Sequence, residues 1–324
     1  MYIIRADGNT AIGIGHVMRC LSIADAMKDR NIEPLFMTAD NDCAAMIEDR
    51  GFEACVLGTD YRDMESELPL IREFLKQRTK NVDASSIILV DSYQVTSRYY
   101  EELRTMAKVA CLEDMGQSYP VDLLINYNIY GPKLVYDNKI THATLLGTGY
   151  QPLRREFQQD MQYDIKDKIT DVMITTGGSD PYFAARAFTD AFLAEKKLAE
   201  EKLRYHIISG PFNTHTAQLH ELYDENPQVE IHEHVTCMKE IMKQCDVALS
   251  ATGSTIYEVS ALGVPLIAFY FAENQRQGAE MLSEITHVIN CGNYADDAGQ
   301  TVGNAVKTLL KCVKDKEYRE TLYH

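Results

Sequence analysis

No apolar run in this chain is long enough to cross a bilayer. The longest, Val264–Ala272, is far shorter than the ~20 residues a membrane helix needs. Paired cysteines are absent as well. The eight cysteines are scattered at positions 20, 43, 55, 111, 237, 245, 291 and 312, and none forms a C-x-x-C. They read as buried free thiols in a reducing cytosol. Positive charge is scarce: 32 Lys and Arg stand against 48 Asp and Glu, a formal charge of −16. Such a field repels phosphate backbones and anionic lipid, so no nucleic-acid or membrane partner is expected. A small anion held by backbone N–H groups is still compatible with it. H-E-x-x-H, G-x-S-x-G and the aspartate pair of metal-dependent transferases are all missing, so neither a metal nor a cofactor is expected. The start, YIIRAD, reads as a strand rather than a secretory leader, and a cytoplasmic protein is expected.

Hydrophobic residues make up 45% and charged residues 25%, the composition of a globular protein. At 324 residues, two domains are the expectation. Short β-rich runs alternate with amphipathic helical stretches along the whole sequence. That rhythm predicts parallel sheets with right-handed crossovers. Runs such as IILV and VPLIAF are continuously apolar, as strands covered on both faces should be. The fold class is α/β: two doubly wound, Rossmann-like domains facing each other across a cleft. The boundaries are residues 1–152, a polar linker over 153–168, and 169–324. Ligands in such folds bind beyond the carboxyl ends of the strands.

Three segments carry the chemistry. The first is DGNTAIGIGHVMRC, after the first strand. Gly13 and Gly15 permit a tight turn, and His16 stands near a helix start, where a neutral imidazole is a competent general base. A capping or packing histidine fits the same spacing. The later glycine of the dinucleotide fingerprint is missing, which disfavours a nicotinamide cofactor. The second is ITTGGSDP, a strand running into Gly177, Gly178 and Ser179 ahead of a helix. Its free N–H groups suit a pyrophosphate, although an ordinary turn capped by Ser179 or Asp180 would look the same. The third is ATGSTIYEVSALGVPLIAFYFAENQ. Ser254 and Thr255 open a helix and Glu258 lies one turn on. That carboxylate suits the two hydroxyls of a ribose, or a capping box. Asn274 and Gln275 follow the next strand. His232 and His234 alternate on a strand, and an exposed polar face is the expectation for them.

Together these segments resemble the PseG-type UDP-sugar hydrolases. The resemblance rests on IRADGNTAIGIGHVMRCLSIADAM, then LVDSY, LLINYN, LLGTGYQPLRREF, TTGGSDP and GSTIYEVSALGVPLIAFYFAENQ, in that order over nearly the whole chain. The C-terminal segments alone also resemble MurG-like glycosyltransferases of GT-B fold.

The resemblance implies a metal-independent, inverting hydrolysis of a UDP-linked 2,4-diacetamido-2,4,6-trideoxy sugar, on a route to pseudaminic acid or another surface polysaccharide. It implies His16 as the base and Tyr93 beside the sugar. Gly177–Ser179 and Ser254–Thr255 would hold the pyrophosphate, Glu258 the ribose, and Asn274 and Gln275 the sugar or phosphate side. Gly13, Gly15 and Arg19 would join the substrate-binding set; Arg5, Asp7 and Arg19 match the signature without an assigned step. Glu113 stands where the family usually carries an aspartate. The expected partner is a small-molecule UDP-sugar, with the chain a monomer or weak oligomer. A GT-B glycosyltransferase, a UDP-sugar 2-epimerase and a silent UDP-sugar-binding protein are the alternatives.

Overall fold

The computed structural model describes residues 1–9, 11–78, 86–158 and 163–323. The chain divides into two compact units, Met1–Pro152 and Leu153–His324.

The first unit runs β1 (Tyr2–Ala6), α1 (Gly15–Lys28), β2 (Leu35–Thr38), α2 (Ala44–Asp49), β3 (Glu53–Val56) and α3 (Leu68–Arg78). It continues with β4 (Ile87–Asp91), α4 (Ser97–Arg104), β5 (Lys108–Leu112), β6 (Leu123–Asn126) and β7 (Thr144–Leu146). Every pairing is parallel, and the spatial order is β3-β2-β1-β4-β5-β6-β7. The order reverses between β1 and β4, the switch point at which open α/β sheets bind ligands. Ile3, Ile88, Val90, Val109 and Cys111 point into one apolar cluster, closed by Tyr99, Tyr100 and Leu103 of α4.

The second unit runs β8 (Asp171–Thr175), α5 (Ala184–Ala194), α6 (Lys196–Glu201), β9 (Arg204–Ile208), α7 (Thr216–Tyr223), β10 (Val229–His232) and α8 (Met238–Gln244). After these come β11 (Val247–Ala251), α9 (Thr255–Leu262), β12 (Leu266–Tyr270), α10 (Glu273–Ile285), β13 (Ile289–Asn293), α11 (Ala298–Lys314) and α12 (Lys316–Tyr323). The sheet is again wholly parallel, ordered β10-β9-β8-β11-β12-β13. Counted within the unit, this is the same order as the first six strands of the other sheet. The switch point lies between β8 and β11. Phe188, Phe192, Tyr205 and Phe269 pack at the centre of its core.

Residues 153–168 belong to the second unit rather than to a free linker. Arg154 bonds Glu258, Phe157 is buried, Tyr163 donates to the Cys245 carbonyl, and Arg319 donates to the Lys166 carbonyl. Part of its polarity is spent on partners inside the unit, and the rest, Arg155, Asp164 and residues 166–168 among it, faces solvent. Residues 159–162 of it lie outside the described residues. All eight cysteines are free thiols; six are buried, and Cys55 and Cys237 are half-buried. Among the described residues, no helix is long and apolar enough to cross a membrane.

A buried ionic cluster braces the first unit. Arg5, in the middle of β1, is wholly buried. Its guanidinium donates to both oxygens of Glu67 at 2.7–2.9 Å and to Asp7 at 2.6 Å. Tyr99 of α4 donates to the same Glu67 at 2.6 Å, and Asp7 accepts from the Ala39 amide at 2.7 Å. Arg5 and Asp7 therefore join β1 to β2, to the turn before α3 and to α4. Their place in the signature is accounted for by this scaffold. Removing one partner of a buried pair strands the other charge, which typically costs about 3–5 kcal/mol. Glu67→Ala should lose about that much unfolding free energy in urea titration, while Glu101→Ala, at an exposed position of α4, should lose under about 1 kcal/mol.

Candidate active site

In the first unit the loop after β1 turns on itself. Asn9 and Gly13 exchange both backbone hydrogen bonds, at 2.8 and 3.2 Å, and the Asn9 side chain accepts from the Ala11 and Ile12 amides. The turn uses the Asn9, Ala11, Ile12 and Gly13 amides. The loop's product is the position of α1. Gly15 is its first residue, and His16 and Arg19, three apart, share a buried stripe beside Val17, Cys20 and Leu21.

That stripe meets the end of β4. His16 Nδ1 lies 3.3 Å from the Asp91 carbonyl oxygen and 3.5 Å from Asp91 Oδ1. With the Nδ1 proton donated there, Nε2 carries the lone pair. Tyr93 packs edge-on to the imidazole with ring centroids 4.6 Å apart and remains 39% exposed. Its hydroxyl donates to Asp114 Oδ2 at 2.8 Å.

Arg19 was expected among the substrate-binding residues. The structure buries it and gives its guanidinium to protein groups: both oxygens of Asp91, Asp114 Oδ2 at 2.7 Å and the Tyr127 hydroxyl at 2.7 Å. Asn128 donates to the other Asp114 oxygen at 2.9 Å. Burial alone would raise the Asp114 carboxyl, but Arg19 beside it and the hydrogen bonds from Arg19 and Tyr93 hold it below the ordinary carboxylate range. Asp91, Asp114, Tyr127 and Asn128 are thus the site's supporting residues, each at or just past the carboxyl end of a strand. That position was the signal available in the sequence. Glu113, by contrast, is spent on its own turn: it accepts from the Met115, Gly116 and Gln117 amides and from the Tyr136 hydroxyl.

In the second unit the two glycine-bearing turns flank the β8/β11 switch point. After β8, Gly177 adopts φ +89°, and the Gly178 carbonyl accepts from the Phe212 amide at 2.9 Å. Gly210 closes on this turn so tightly that a Cβ there would lie 2.2 Å from the Gly177 oxygen, so only glycine fits. Gly210 was not among the expected site residues, although the strand-end ISGP carries it. Asp180 caps α5 by accepting from the Ala184 and Ala185 amides at 2.8 and 3.0 Å. A carboxylate already fills the positive end of α5, which leaves the half-buried Gly177–Ser179 turn itself as the anion-facing part.

The turn after β11 differs. Ser254 is the N-cap residue of α9 and its side chain makes no capping bond; the Ile256 and Tyr257 amides bond the Gly253 and Ser254 carbonyls. The capping box does not form, because Glu258 turns instead to Arg154. That guanidinium grips both Glu258 oxygens, at 2.6 and 2.7 Å, and lies over the Phe157 ring. Burial pushes the Glu258 carboxyl above its ordinary range even with Arg154 beside it. The Thr252 hydroxyl donates to the Gln275 carbonyl at 3.3 Å, joining this turn to the start of α10. The Gln275 side chain accepts from the Phe271 amide at 3.1 Å, and Asn274 is exposed beside it. The turns carrying Gly177–Ser179 and Ser254–Glu258, with Gln275, therefore share one end of the second sheet. Arg154 is the residue the sequence did not single out.

Comparison with known proteins bears on this unit first. The glycosyltransferase family 28 C-terminal domain matches residues 154–322. The chain belongs to this family. An uncharacterised protein of Methanocaldococcus jannaschii is 25% identical over 290 residues, 85% of this chain and 56% of that protein. The spore coat polysaccharide biosynthesis protein SpsG of Bacillus subtilis is 24% identical, covering 89% of this chain and 83% of SpsG. A Helicobacter pylori protein named as pseudaminic acid cytidylyltransferase and UDP-2,4-diacetamido-2,4,6-trideoxy-beta-L-altropyranose hydrolase is 24% identical over 81% of this chain. The chain spans 43% of that protein's length and about half of the archaeal relative's. Among solved structures, Acinetobacter baumannii MurG superposes with a TM-score of 0.63 at 15% identity, covering 99% of this chain and 93% of MurG. Arabidopsis thaliana UGT89C1, solved with UDP-L-rhamnose, gives 0.68 at 11% identity over 99% of this chain and 92% of that one. These structural likenesses establish the GT-B fold; the Helicobacter pylori and Campylobacter jejuni hydrolases are similar to this chain at 24% and 22% identity.

Two outcomes follow from the ion pairs. Arg154→Met should lose about 3–5 kcal/mol of unfolding free energy, and adding Glu258→Gln should recover part of it, since both charges are then gone. Denaturant titration of the three proteins reads this directly. Asp114, with its carboxyl lowered on folding, adds stability that is present above the unfolded aspartate value of about 3.9 and fades as pH falls through the lowered folded value. The stability difference between wild type and Asp114→Asn should accordingly be largest above about pH 4 and shrink below it.

Proposed function

We propose that this chain hydrolyses a UDP-linked amino sugar of the 2,4-diacetamido-2,4,6-trideoxy class at the anomeric carbon. The observation that carries the reading is His16. Its Nδ1 is held at the Asp91 carbonyl, and its Nε2 lone pair is left for a proton. In the step, water gives a proton to Nε2 as its oxygen forms a bond to the anomeric carbon. The bond from that carbon to the diphosphate oxygen breaks on the opposite face. The sugar leaves inverted and UDP leaves with the electron pair. Diphosphate is a competent leaving group, so a strong general acid is not required.

The second unit would hold UDP. The start of α9, where the Ser254 side chain makes no cap, would present the positive end of a helix to the developing diphosphate charge. The Gly177–Ser179 turn would support it. Glu258, aligned by Arg154, retains lone pairs for the ribose hydroxyls. Tyr93, tied to Asp114, is placed beside the imidazole for the sugar's polar groups. The hydrolase relative and the spore-coat relative support the reaction class and a role in surface polysaccharide synthesis. Family membership supports a second reading, transfer of the sugar to a hydroxyl acceptor.

Incubation with the UDP-linked sugar in EDTA, followed by proton NMR, separates the two. Free inverted sugar and UDP without any acceptor is the expected result; turnover only on adding an acceptor would give the second reading the site. A positioned base contributes ~10²–10⁴-fold to rate. His16→Ala should lower kcat by about that factor with UDP affinity unchanged, measured by calorimetry. Near-normal turnover in that variant would remove His16 from the mechanism.

A further inference from the structure

The sequence offered His232 and His234 as neighbours on one strand face. The structure separates them: β10 ends at His232, and His234 lies beyond it with φ +48°. His232 meets a different histidine. His206 of β9 places Nδ1 3.0 Å from His232 Nε2. Strands β9 and β10 pair in parallel with Glu230 directly beside His206 and His232 two residues on. The three side chains therefore rise from the same face of the sheet edge, opposite to Tyr205, Ile207 and Ile231, which pack in the core.

We propose that His206, Glu230 and His232 form a binding site for a zinc-type divalent cation. Three features build it. The first is separation. A tetrahedral zinc ion with ligands at ~2.0–2.2 Å holds its donor atoms about 3.3–3.5 Å apart. The observed separations are 3.0 Å between the histidine nitrogens, 3.6 Å from Glu230 Oε2 to His206 Nδ1 and 3.7 Å from Glu230 Oε1 to His232 Nε2. The donor atoms of the three residues all lie within 4.8 Å of one another.

The second feature is support behind the ligands. His206 is buried, 2% exposed, and its other nitrogen, Nε2, donates to Asp171 Oδ1 at 2.8 Å. That bond fixes the tautomer and turns the Nδ1 lone pair toward His232. A carboxylate behind a ligating histidine is the usual arrangement at zinc. Asp171 is itself held by Arg204 at 2.8 Å and by Thr170 at 2.5 Å. The third feature is access. The Glu230 side chain is 61% exposed and that of His232 17%, so an ion reaches the site from solvent and keeps room for water as a fourth ligand. Two histidines and one carboxylate match the preference of zinc among common divalent ions. Without an ion, the two histidines and Asp171 form a hydrogen-bonded Asp171–His206–His232 chain.

The site lies on the β9/β10 edge, apart from the turns at the carboxyl ends of β8 and β11 assigned to UDP. An ion there would clamp the edge strand to its neighbour. The spacing explains why sequence patterns miss it: the two histidines are 26 residues apart and belong to different strands.

The test uses the purified full chain, freed of metal with a chelator and titrated with zinc chloride against a chromophoric competitor. Wild type should bind one equivalent tightly that His232→Ala lacks. Glu230→Gln should weaken that equivalent by about tenfold or more, and Asp171→Asn, which removes the support, by ~10–100-fold. Zinc in excess should raise the Tm of wild type and not that of His232→Ala. Both His232 and Glu230 are on the open side of the edge, so the metal-free variants should keep the wild-type circular dichroism. The eight cysteines are unchanged in every variant, so any thiol-bound zinc remains in all of them. Equal stoichiometry and affinity in wild type, His232→Ala and Glu230→Gln would overturn the proposal and leave the hydrogen-bonded chain in its place.

Discussion

The arrangement of the first unit's site depends on one buried cation. Three strand ends, those of β4, β5 and β6, bring Asp91, Asp114 and Tyr127 close together. Two carboxylates at such a place repel, and each would take up a proton or turn to solvent if left alone. The Arg19 guanidinium sits among them and bonds to all three. Its planar fork makes four bonds, two to Asp91 and one each to Asp114 and Tyr127, more than the three donors of a lysine could supply. Asp91 then has its carbonyl beside His16, and Asp114 receives the Tyr93 hydroxyl. The His16 imidazole and the Tyr93 phenol beside it are thus positioned through buried residues behind them. Arg5, one turn of logic further back, does the same for the scaffold: it fixes the end of β1 from which the whole α1 loop departs.

The two units share a strand order but use their switch points differently. In the first, the loop amides after β1 close on Asn9, and the loop's contribution is to place a histidine at the start of α1. In the second, the α5 terminus is closed by the Asp180 carboxylate, whereas at the α9 terminus the Ile256 and Tyr257 amides bond the Gly253 and Ser254 carbonyls and the Ser254 side chain makes no cap. Arg154 keeps the buried Glu258 carboxylate from being an isolated charge, and so a segment that looks like a connector is built into this end of the second sheet.

Much of this was legible beforehand. Continuous apolar runs such as IILV and VPLIAF predicted parallel strands covered on both faces, and the sheets are parallel. The glycine turns after the first, eighth and eleventh strands were placed correctly, because glycine and helix-start chemistry are local. The partners of the polar residues were not legible. Arg19 read as substrate-binding and Glu258 as a ribose acceptor or a capping-box acid, while the groups they bond, Asp91 and Arg154, are 72 and 104 residues away. Residues 153–168 read as a polar linker, because composition does not say whom a polar side chain will meet. Asp180 was one of two capping candidates, and only the backbone conformation around Phe183, with φ +54°, shows why its carboxylate reaches the α5 amides.

By itself, then, the sequence determined the alternation of strands and helices, the two-unit division and the turns at which ligands could bind. Each of these follows from periodicity and turn chemistry within a dozen residues. The tertiary structure decided which charges are spent on one another. Strand order brings Arg19 to Asp114 across 95 residues and His206 to His232 across 26, and strand order is a property of the packed sheet. A polar side chain loses most of its freedom only when burial removes water as its partner, so its role is set by the neighbours that packing supplies.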